Sequence, residues 1–321
     1  MDPLSDVLRV IRLVGGVFLE AEFTAPWCVN GRVSAEHCKP FQVAPRHVIA
    51  SHFVAAGRMQ LQIEGGDPIE AKAGELLLLP HNDAHVFGSD VTVPAASAHQ
   101  LIRTLPVNGI SRIRFGGGGS TTHLLCGFLG SSISFSPLLA SLPQVLKLDV
   151  RATSSGAWIE SSFRFAIGEI AAGRMGSATV IARLSELLFV EAIGQFATGM
   201  PAEKRGWLAG LRDAKIGRAL TLLHERPTES WTAETLAAQV GMSRSVFAER
   251  FGTLVGESPM HYLAAWRMHM AAQQLREGPA SVAQVAFTVG YESEAAFSRA
   301  FKRQFGTSPG AYRRHRDQRV M

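Results

Sequence analysis

A repeat in the carboxyl-terminal third of this chain constrains its fold more than any other feature. Six positions from Phe247 to Pro259 recur 50 residues later, and four positions just before them recur at an offset of 49. The first set pairs Phe247, Phe251, Val255, Gly256, Ser258 and Pro259 with Phe297, Phe301, Phe305, Gly306, Ser308 and Pro309. The second set pairs Leu236, Ala237, Val240 and Gly241 with Val285, Ala286, Val289 and Gly290. The second copy therefore has one extra residue between its glycine and its first phenylalanine, which a turn would accommodate.

Each copy has the pattern of a helix, a tight turn and a second helix. In the first copy, Thr232 and Ser243 are predicted to cap the two helices and Gly241 to form the turn between them. The residues predicted to face inward on the second helices are Val246, Phe247 and Phe251 in the first copy and Phe297 and Phe301 in the second. In a helix-turn-helix unit the second helix enters the major groove of DNA, so the outward side chains become candidates for base contact.

The segment between the copies is predicted to be one continuous helix from Pro259 to Arg276, ended by Gly278 and Pro279. A helix of about 18 residues is roughly 27 Å long. Successive major-groove entries on one face of DNA lie about 34 Å apart. A linker of this length could hold both reading helices on one face of the duplex.

The stretch from Val285 to Arg314 resembles the signature of the AraC/XylS family of bacterial transcription regulators, and the resemblance covers about residues 212–316. It implies a seven-helix DNA-binding domain with two helix-turn-helix units, with promoter DNA and RNA polymerase as partners. The positions that it assigns to DNA contact are Arg244, Ser245, Ala248 and Glu249 in the first copy and Glu294, Ala295, Ser298 and Arg299 in the second. Arg299, with Lys302 and Arg303 beside it, is predicted to make the stronger contacts to guanine or phosphate.

The charge distribution supports a nucleic-acid partner for the carboxyl-terminal part. Residues 1–206 carry 17 Lys and Arg against 17 Asp and Glu, whereas residues 207–321 carry 15 against 10. The whole net charge of +5 therefore lies in the part that contains the repeat. A basic region of this kind suits a polyanion.

The rest of the chain predicts an α+β protein. Residues 48–93 have a strand-like pattern, with a hairpin turn at Gly65 to Pro68, and two further strands, Ile110–Phe115 and Thr121–Leu129, are expected on either side of Gly116 to Gly119. Those glycines are interpreted as a turn, because a phosphate-binding loop would be followed by a helix. We expect a β domain over 1–150, a helical connector and linker over 151–206, and the DNA-binding domain over 207–321. The connector helices, 158–172 and 178–197, would pack on the β domain or on a second subunit in a homodimer.

The amino terminus predicts a short amphipathic helix with Leu4, Val7, Leu8 and Ile11 on one face and Asp2 as its cap. The acidic start does not resemble an export signal, and charged residues interrupt the most apolar later stretch, 180–196, so no membrane span is expected. The three cysteines, an odd number, favour reduced thiols and a cytoplasmic protein.

The front half resembles the cupin-type sensor domain that precedes such DNA-binding units in one branch of the family. The resemblance rests on Gly74-x5-Pro80-x-Asn82-x-x-His85 and on the segment around His52, with Asn82 standing where cupins have glycine. It implies a small β-barrel with His52 and His85 on neighbouring inward-facing strands, where they would bind a small-molecule effector. The second cupin motif, an HxH pair with a glutamate, is not intact.

Two alternatives remain for these histidines. They would either line an apolar ligand cavity or hydrogen-bond inside the barrel, or they would, with Cys38 or Cys126, form a thiolate and imidazole set suited to Zn²⁺. Two function classes compete as well: a regulator that senses a ligand, or an enzyme domain tethered to a DNA-binding module. The broken HxH motif and the absence of G-x-S-x-G and H-E-x-x-H favour a regulator that is not an enzyme.

Overall fold

The computed structural model describes residues 2–317 except 12, 39–44, 103–110, 132–136, 153–155, 159–160, 163–164, 166–167, 169–176 and 202–203. Within it the chain forms two compact units. The sheet unit is Ile11–Gly199, and the helical unit combines Met200–Met321 with Met1–Val10. A unit rich in strands and a unit built of helices confirm the predicted α+β class.

The first element, helix α1 (Pro3–Ile11), forms where the sequence predicts it. Asp2 caps it, because the Asp2 carboxylate accepts a hydrogen bond of 3.0 Å from the Ser5 amide. Residues 1–10, and with them most of this helix, belong to the helical unit although they come first in the chain.

The sheet unit is built around two sheets. The strands are β1 (Val14–Thr24), β2 (Cys28–Gly31), β3 (His47–Ala56), β4 (Arg58–Ile63), β5 (Ile69–Lys72), β6 (Glu75–Leu79), β7 (His85–Gly88), β8 (Ala96–Ser97), β9 (Ser111–Gly116), β10 (Thr121–Ser131) and β11 (Leu146–Asp149). One sheet has the order β11-β6-β3-β10-β1-β9 and the other β5-β4-β7-β2-β8. Their buried apolar side chains form one core cluster, in which Trp27 stacks on Phe23 with ring centroids 4.0 Å apart.

Two turns of this unit follow the predictions. Strands β4 and β5 pair antiparallel across the predicted turn, where Gly65 has a φ of +77°. The predicted strands before and after Gly116 to Gly119 are β9 and β10, and a strand rather than a helix follows the glycines. The two do not pair with each other, because β1 lies between them, parallel to β9 and antiparallel to β10. Ile110 lies outside the described residues.

The described helices of this unit are short except the last. They are α2 (Ala35–Cys38), α3 (Ala98–Leu101), α4 (Pro137–Ala140) and α5 (Ser177–Gly199), with a 3-10 turn at Val150–Ala152. Helix α5 matches the predicted helix 178–197, and it packs on β1, β10 and β11 through a face that includes Leu184, Leu188 and Ile193. Most of the other predicted helix, 158–172, lies outside the described residues. None of the described helices combines the length and the apolar character that a bilayer crossing requires.

Besides α1, the described part of the helical unit has a short helix followed by the seven expected ones. They are α6 (Trp207–Arg212), then α7 (Ala214–Glu225), α8 (Ala233–Gln239), α9 (Arg244–Val255), α10 (Pro259–Glu277), α11 (Val282–Thr288), α12 (Glu294–Phe305) and α13 (Pro309–Asp317). Helices α8 and α9 form the first helix-turn-helix unit, and α11 and α12 form the second. Helix α10 links them and, with 19 residues, is about 28 Å long.

Caps and turns place each unit where the repeat predicts it. Ser243 and Ser293 accept hydrogen bonds from backbone amides at the starts of α9 and α12. Gly241 and Gly290 form the two turns with φ of +63° and +84°, a region that glycine occupies without strain. The extra residue of the second copy lies in its turn, because residues 242–243 separate the first glycine from α9 and residues 291–293 separate the second from α12.

The inward stripe of the first unit was predicted correctly except at Val246. Phe247, Phe251, Phe297 and Phe301 are all fully buried. Val246 is 53% exposed, so its predicted inward position is wrong. Successive helix residues are about 100° apart, and Phe247 and Phe251, one turn apart, set the direction of the buried stripe.

Candidate DNA interface and internal cavity

Helix α9, which we call the first reading helix, presents a small and weakly charged face. Arg244, Ser245 and Glu249 are exposed, and Ala248 is half-buried. The next basic residue, Arg250, is paired with Asp213 through a 2.9 Å bond from its Nε. Among these positions Arg244 is therefore the one cation not held by that ion pair.

Helix α12, the second reading helix, presents a more basic face. Its exposed side chains are Glu294, Ala295, Arg299, Lys302 and Arg303, and Ser298 is half-buried. All ten predicted DNA-contact residues thus lie on the two reading helices, none of them buried. Arg299 offers the paired donors that match a guanine edge, whereas Lys302 suits a phosphate as a point charge. Lys302 and Arg303 also lie in the last helical turn, where a cation stabilises the helix itself.

Inside the sheet unit, His52 and His85 face each other from different sheets. His52 lies on β3 and His85 on β7, and their Nε2 atoms are 2.8 Å apart. The expectation of neighbouring strands is therefore wrong, because the sheet partner of His52 is Cys126 on β10. The Cys126 Sγ lies 3.1 Å from the His52 Nδ1.

Burial keeps all three side chains neutral. It lowers the pKa of His52 well below the ordinary 6.5, helped by the nearby His85, and it lowers the pKa of His85 as well. Burial also raises the pKa of the Cys126 thiol to about 12. A neutral imidazole has one donor and one acceptor nitrogen, which fixes the directions of the hydrogen bonds.

Those directions can be assigned from one end of the chain of contacts. The Asp83 carbonyl can only accept, so the His85 Nδ1, 2.8 Å away, carries the proton. The His85 Nε2 then accepts from the His52 Nε2–H, and the His52 Nδ1 accepts from the Cys126 S–H. Each side chain of this Cys126–His52–His85 chain therefore has a hydrogen-bond partner while remaining neutral.

Asn82, which departs from the cupin pattern, has the backbone conformation that suits the expected glycine, and its side chain also makes two hydrogen bonds. It has a φ of +52°, the left-handed region that asparagine tolerates better than most residues. Its side-chain oxygen accepts from the Val33 amide at 3.0 Å and its Nδ2 donates to the Val33 carbonyl at 2.9 Å. Asn82 thereby fixes the segment that follows β2 to the turn before His85.

A small cavity lies against the histidines. It has a volume of about 30 Å³, enough for about one or two water molecules. The lining is mostly apolar and comes from both sheets and α3, with Leu19, Ala50, Phe87, Ala98 and Ile102 among its members. Arg32, His37, His52, His85 and Cys126 are its polar members.

The residues do not fit the metal site considered from the sequence. A Zn²⁺ ion needs ligand lone pairs that converge on one point at about 2.0–2.3 Å. Cys126 and His85 contact opposite nitrogens of His52, and the thiol of Cys38 is directed to the Ser34 carbonyl at 3.5 Å. In the part of the chain that is described, no three His, Cys, Asp or Glu side chains are placed to hold a metal ion. Cys38, His52, His85 and Cys126 therefore do not converge in the way that the Zn²⁺ alternative would require.

The helical unit contains a second buried polar chain, which the sequence patterns did not reveal. Trp207 donates from Nε1 to the Tyr262 hydroxyl at 2.8 Å, and that hydroxyl lies 2.7 Å from the His224 Nε2. Tyr262 donates its own proton to the Nε2 of neutral His224, because the proton of that imidazole is on Nδ1, beside a carboxylate that can only accept. That nitrogen faces the buried carboxylate of Asp6, on α1, at 3.7 Å. The only sequence signal was an acidic residue beside the apolar face of the first helix.

Comparison with known proteins agrees with both units. The family model described as cupin matches residues 2–196, and the one described as helix-turn-helix domain matches residues 236–315. An AraC-like transcription regulator of Streptomyces lividans is 33% identical over 98% of this chain and 99% of its own length. The regulator AlkR of Acinetobacter baylyi is 29% identical, again over 98% of this chain and 99% of its own length.

Among solved structures, the DNA-binding domain of AdpA in complex with target DNA is 36% identical, covering 32% of this chain and 93% of that one, with a TM-score of 0.31. The relatives that match over their full length are transcription regulators and not enzymes. The chain therefore belongs to the AraC family of helix-turn-helix transcription regulators, in the group that carries an amino-terminal cupin domain.

Proposed function

We propose that this regulator reads one promoter site with both reading helices and that a small organic molecule in the cupin domain controls the reading. The single observation that carries the first part is the pair of capped helices, each with its phenylalanines buried and its polar face exposed. Arg299 would supply base readout, while Lys302 and Arg303 would bind phosphate. The first reading helix, with Ser245, Ala248 and Glu249, would contribute shape and weaker contacts.

The cavity beside His52 and His85 supports a mainly apolar effector. Its histidines and thiol are neutral and already bonded to one another, and Arg32 of its lining is exposed to solvent. A fully charged ligand would therefore lose its hydration with little compensation from the buried groups. Its volume of about 30 Å³ is far below the roughly 300 Å³ or more of a typical ligand pocket. An effector would have to displace lining residues, and binding would therefore be linked to a change of shape, as a switch requires.

The partners follow from this activity. Promoter DNA is the direct target, and RNA polymerase and a second copy of the chain are the further partners that family membership suggests. A regulator of this kind would work in the cytoplasm, where bacterial DNA is accessible.

The DNA proposal is tested by measuring binding of the full chain to the DNA upstream of its own gene at different salt concentrations. Because each phosphate contact releases counterions, affinity should fall at least about tenfold between 50 and 200 mM salt. Lys302→Ala should lower the slope of log affinity against log salt by about 1. An affinity that does not depend on salt would contradict the proposal.

The sensor proposal is tested with a promoter reporter and a panel of uncharged small organic molecules. A compound that changes wild-type expression should have no effect on His52→Ala or His85→Ala, while DNA affinity without the compound stays within about threefold. His123→Ala, a partly exposed histidine of β10, is the matched control and should respond normally. If both cavity variants respond like wild type, the effector binds elsewhere.

A further inference from the structure

The two helix-turn-helix units differ in what their turns contact. A methyl group built on Gly241, in the first turn, would meet nothing within 4 Å. The same group on Gly290, in the second turn, would lie 3.1 Å from the Thr228 Cα and 3.2 Å from the Arg267 Cζ. At its Cα the second turn is therefore packed against another part of the helical unit. The first turn has open space at its Cα and is contacted instead at its carbonyl, which accepts a 2.8 Å bond from the Lys215 Nζ.

The contact on Gly290 belongs to the first half of the DNA-binding domain. Thr228 lies in the loop between α7 and α8, just before the first helix-turn-helix unit. This loop is stiffened from within, because the Trp231 Nε1 donates to the Arg226 carbonyl at 2.9 Å. The Thr228 loop of the first half thus contacts the Gly290 turn, which sets the orientation of the reading helix in the second half.

Arg267, on the linker helix α10, binds the loop of the first half and lies beside the Gly290 turn of the second half. Its Nε donates to the Pro227 carbonyl at 2.6 Å, and its Nη2 donates to the Glu229 carbonyl at 2.8 Å. The guanidinium is half-buried and lies against the Gly290 turn. A planar fork with two fixed donors restrains orientation in a way that a single point charge cannot.

We propose that Arg267 is a positioning residue for DNA recognition, which fixes the spacing and relative angle of the two reading helices. It rests on the proposed reading by both helices. Without Arg267, each helix-turn-helix unit would still pack on its own part of α10. The contact that Arg267 maintains between the Thr228 loop and the Gly290 turn would be lost. The site would then accept DNA whose two half-sites are wrongly spaced.

The test is the spacing profile of the full chain. Operator variants with one base pair removed or inserted between the half-sites rotate them by about 34° relative to each other. Wild type should lose about tenfold or more on these variants, because both helices can no longer bind together. Arg267→Ala should reduce that loss to about threefold or less, and Arg267→Lys should be intermediate. Arg218→Ala, an exposed arginine of α7, is the control.

A second pair of variants tests the same contact without relying on Arg267→Ala to fold correctly. Gly290→Ala and Gly241→Ala both place a side chain at positive φ, but only the first disturbs the contact between the halves. Gly290→Ala should therefore alter the spacing profile, and Gly241→Ala should not. An unchanged profile in Arg267→Ala and Gly290→Ala would overturn the positioning role. If wild type binds a single half-site as tightly as the pair, the reading by two helices itself fails.

Discussion

The two helix-turn-helix units are nearly identical inside and different outside. Phe247 and Phe251 of the first, like Phe297 and Phe301 of the second, are fully buried at matching positions, and serine caps begin both reading helices. Outside, the first reading helix has its Arg250 committed to Asp213, whereas the second keeps its basic residues exposed. A duplicated unit therefore fixes the stripe that packs and leaves the outward face free to acquire a separate task. The following predictions test that comparison, beginning with the largest effect.

The interiors should respond alike to loss of a phenylalanine. Phe251→Ala and Phe301→Ala should each lower the free energy of unfolding by about 3–5 kcal/mol, because each leaves a cavity in a close-packed core. Urea unfolding of the full chain measures both. Val246→Ala is the control, since this side chain is mostly exposed and should cost less than about 1 kcal/mol. A loss below about 1 kcal/mol at either phenylalanine would show that the buried cores of the two units do not contribute equally to stability.

The second half should be the more sensitive to acid, because of His269. In the first half burial also lowers the pKa of His224, but the neighbouring Asp6 carboxylate opposes that shift. Neither ring nitrogen of His269 has a hydrogen-bond partner among the described residues, and burial, with Arg276 nearby, lowers its pKa to about 4. Between pH 6.5 and pH 4, His269 is therefore protonated in the unfolded chain and still neutral in the folded chain. The contribution of neutral His269 to the free energy of unfolding is complete above pH 6.5, and it falls by up to ~3 kcal/mol as the pH approaches 4.

Replacement of His269 isolates this contribution. His269→Leu should be more stable than wild type at pH 5, and its advantage should shrink towards pH 7.5. Unfolding free energies at several pH values would show this, with His261→Gln, at an exposed histidine of the same helix, as the control. Parallel losses of stability in wild type and His269→Leu would mean that His269 does not cause the acid sensitivity.

The outward faces should respond differently to loss of a side chain. Arg299→Ala should weaken specific DNA binding by about 1–3 kcal/mol and relax the preference for one base pair, as expected of a bidentate contact. Glu249→Ala, the matched change on the first reading helix, should cost little. Competition binding against single-base operator variants distinguishes the cases. If Arg299→Ala weakens every sequence equally, Arg299 contacts phosphate and not a base.

The smallest expected effect concerns the caps. Ser243→Ala and Ser293→Ala should each destabilise the helical unit by about 1 kcal/mol, because each removes an acceptor from a helix start. Thermal unfolding of the two variants should give similar shifts. A clear difference between them would show that one reading helix is held mainly by its packing.

The sequence revealed local features of this protein far better than distant ones. The repeat predicted the caps at Thr232 and Ser243 and the turns at Gly241 and Gly290, because these depend on residues within a few positions of one another. The error at Val246 arose from treating an apolar residue as buried although it lies one position away from the stripe.

The cavity could be predicted only in part for the opposite reason. His52 and Cys126 are 74 residues apart and meet through the register of β3 and β10. No short-range pattern determines that register, so the sequence left Cys38 and Cys126 as equal candidates beside the two histidines. The positive φ of Asn82 and the role of Arg267 depend likewise on neighbours far away in the chain.

Helix α1 has a consequence for how the protein is made. A ribosome synthesises Asp6 first and its neighbour His224 more than 200 residues later, roughly ten seconds or more at typical rates of translation. Throughout that interval the whole sheet unit emerges while Asp6 lacks the histidine that it faces in the complete chain. A carboxyl-terminal fragment would never receive this helix, and its His224 Nδ1–H would lack the carboxylate that it faces in the complete chain.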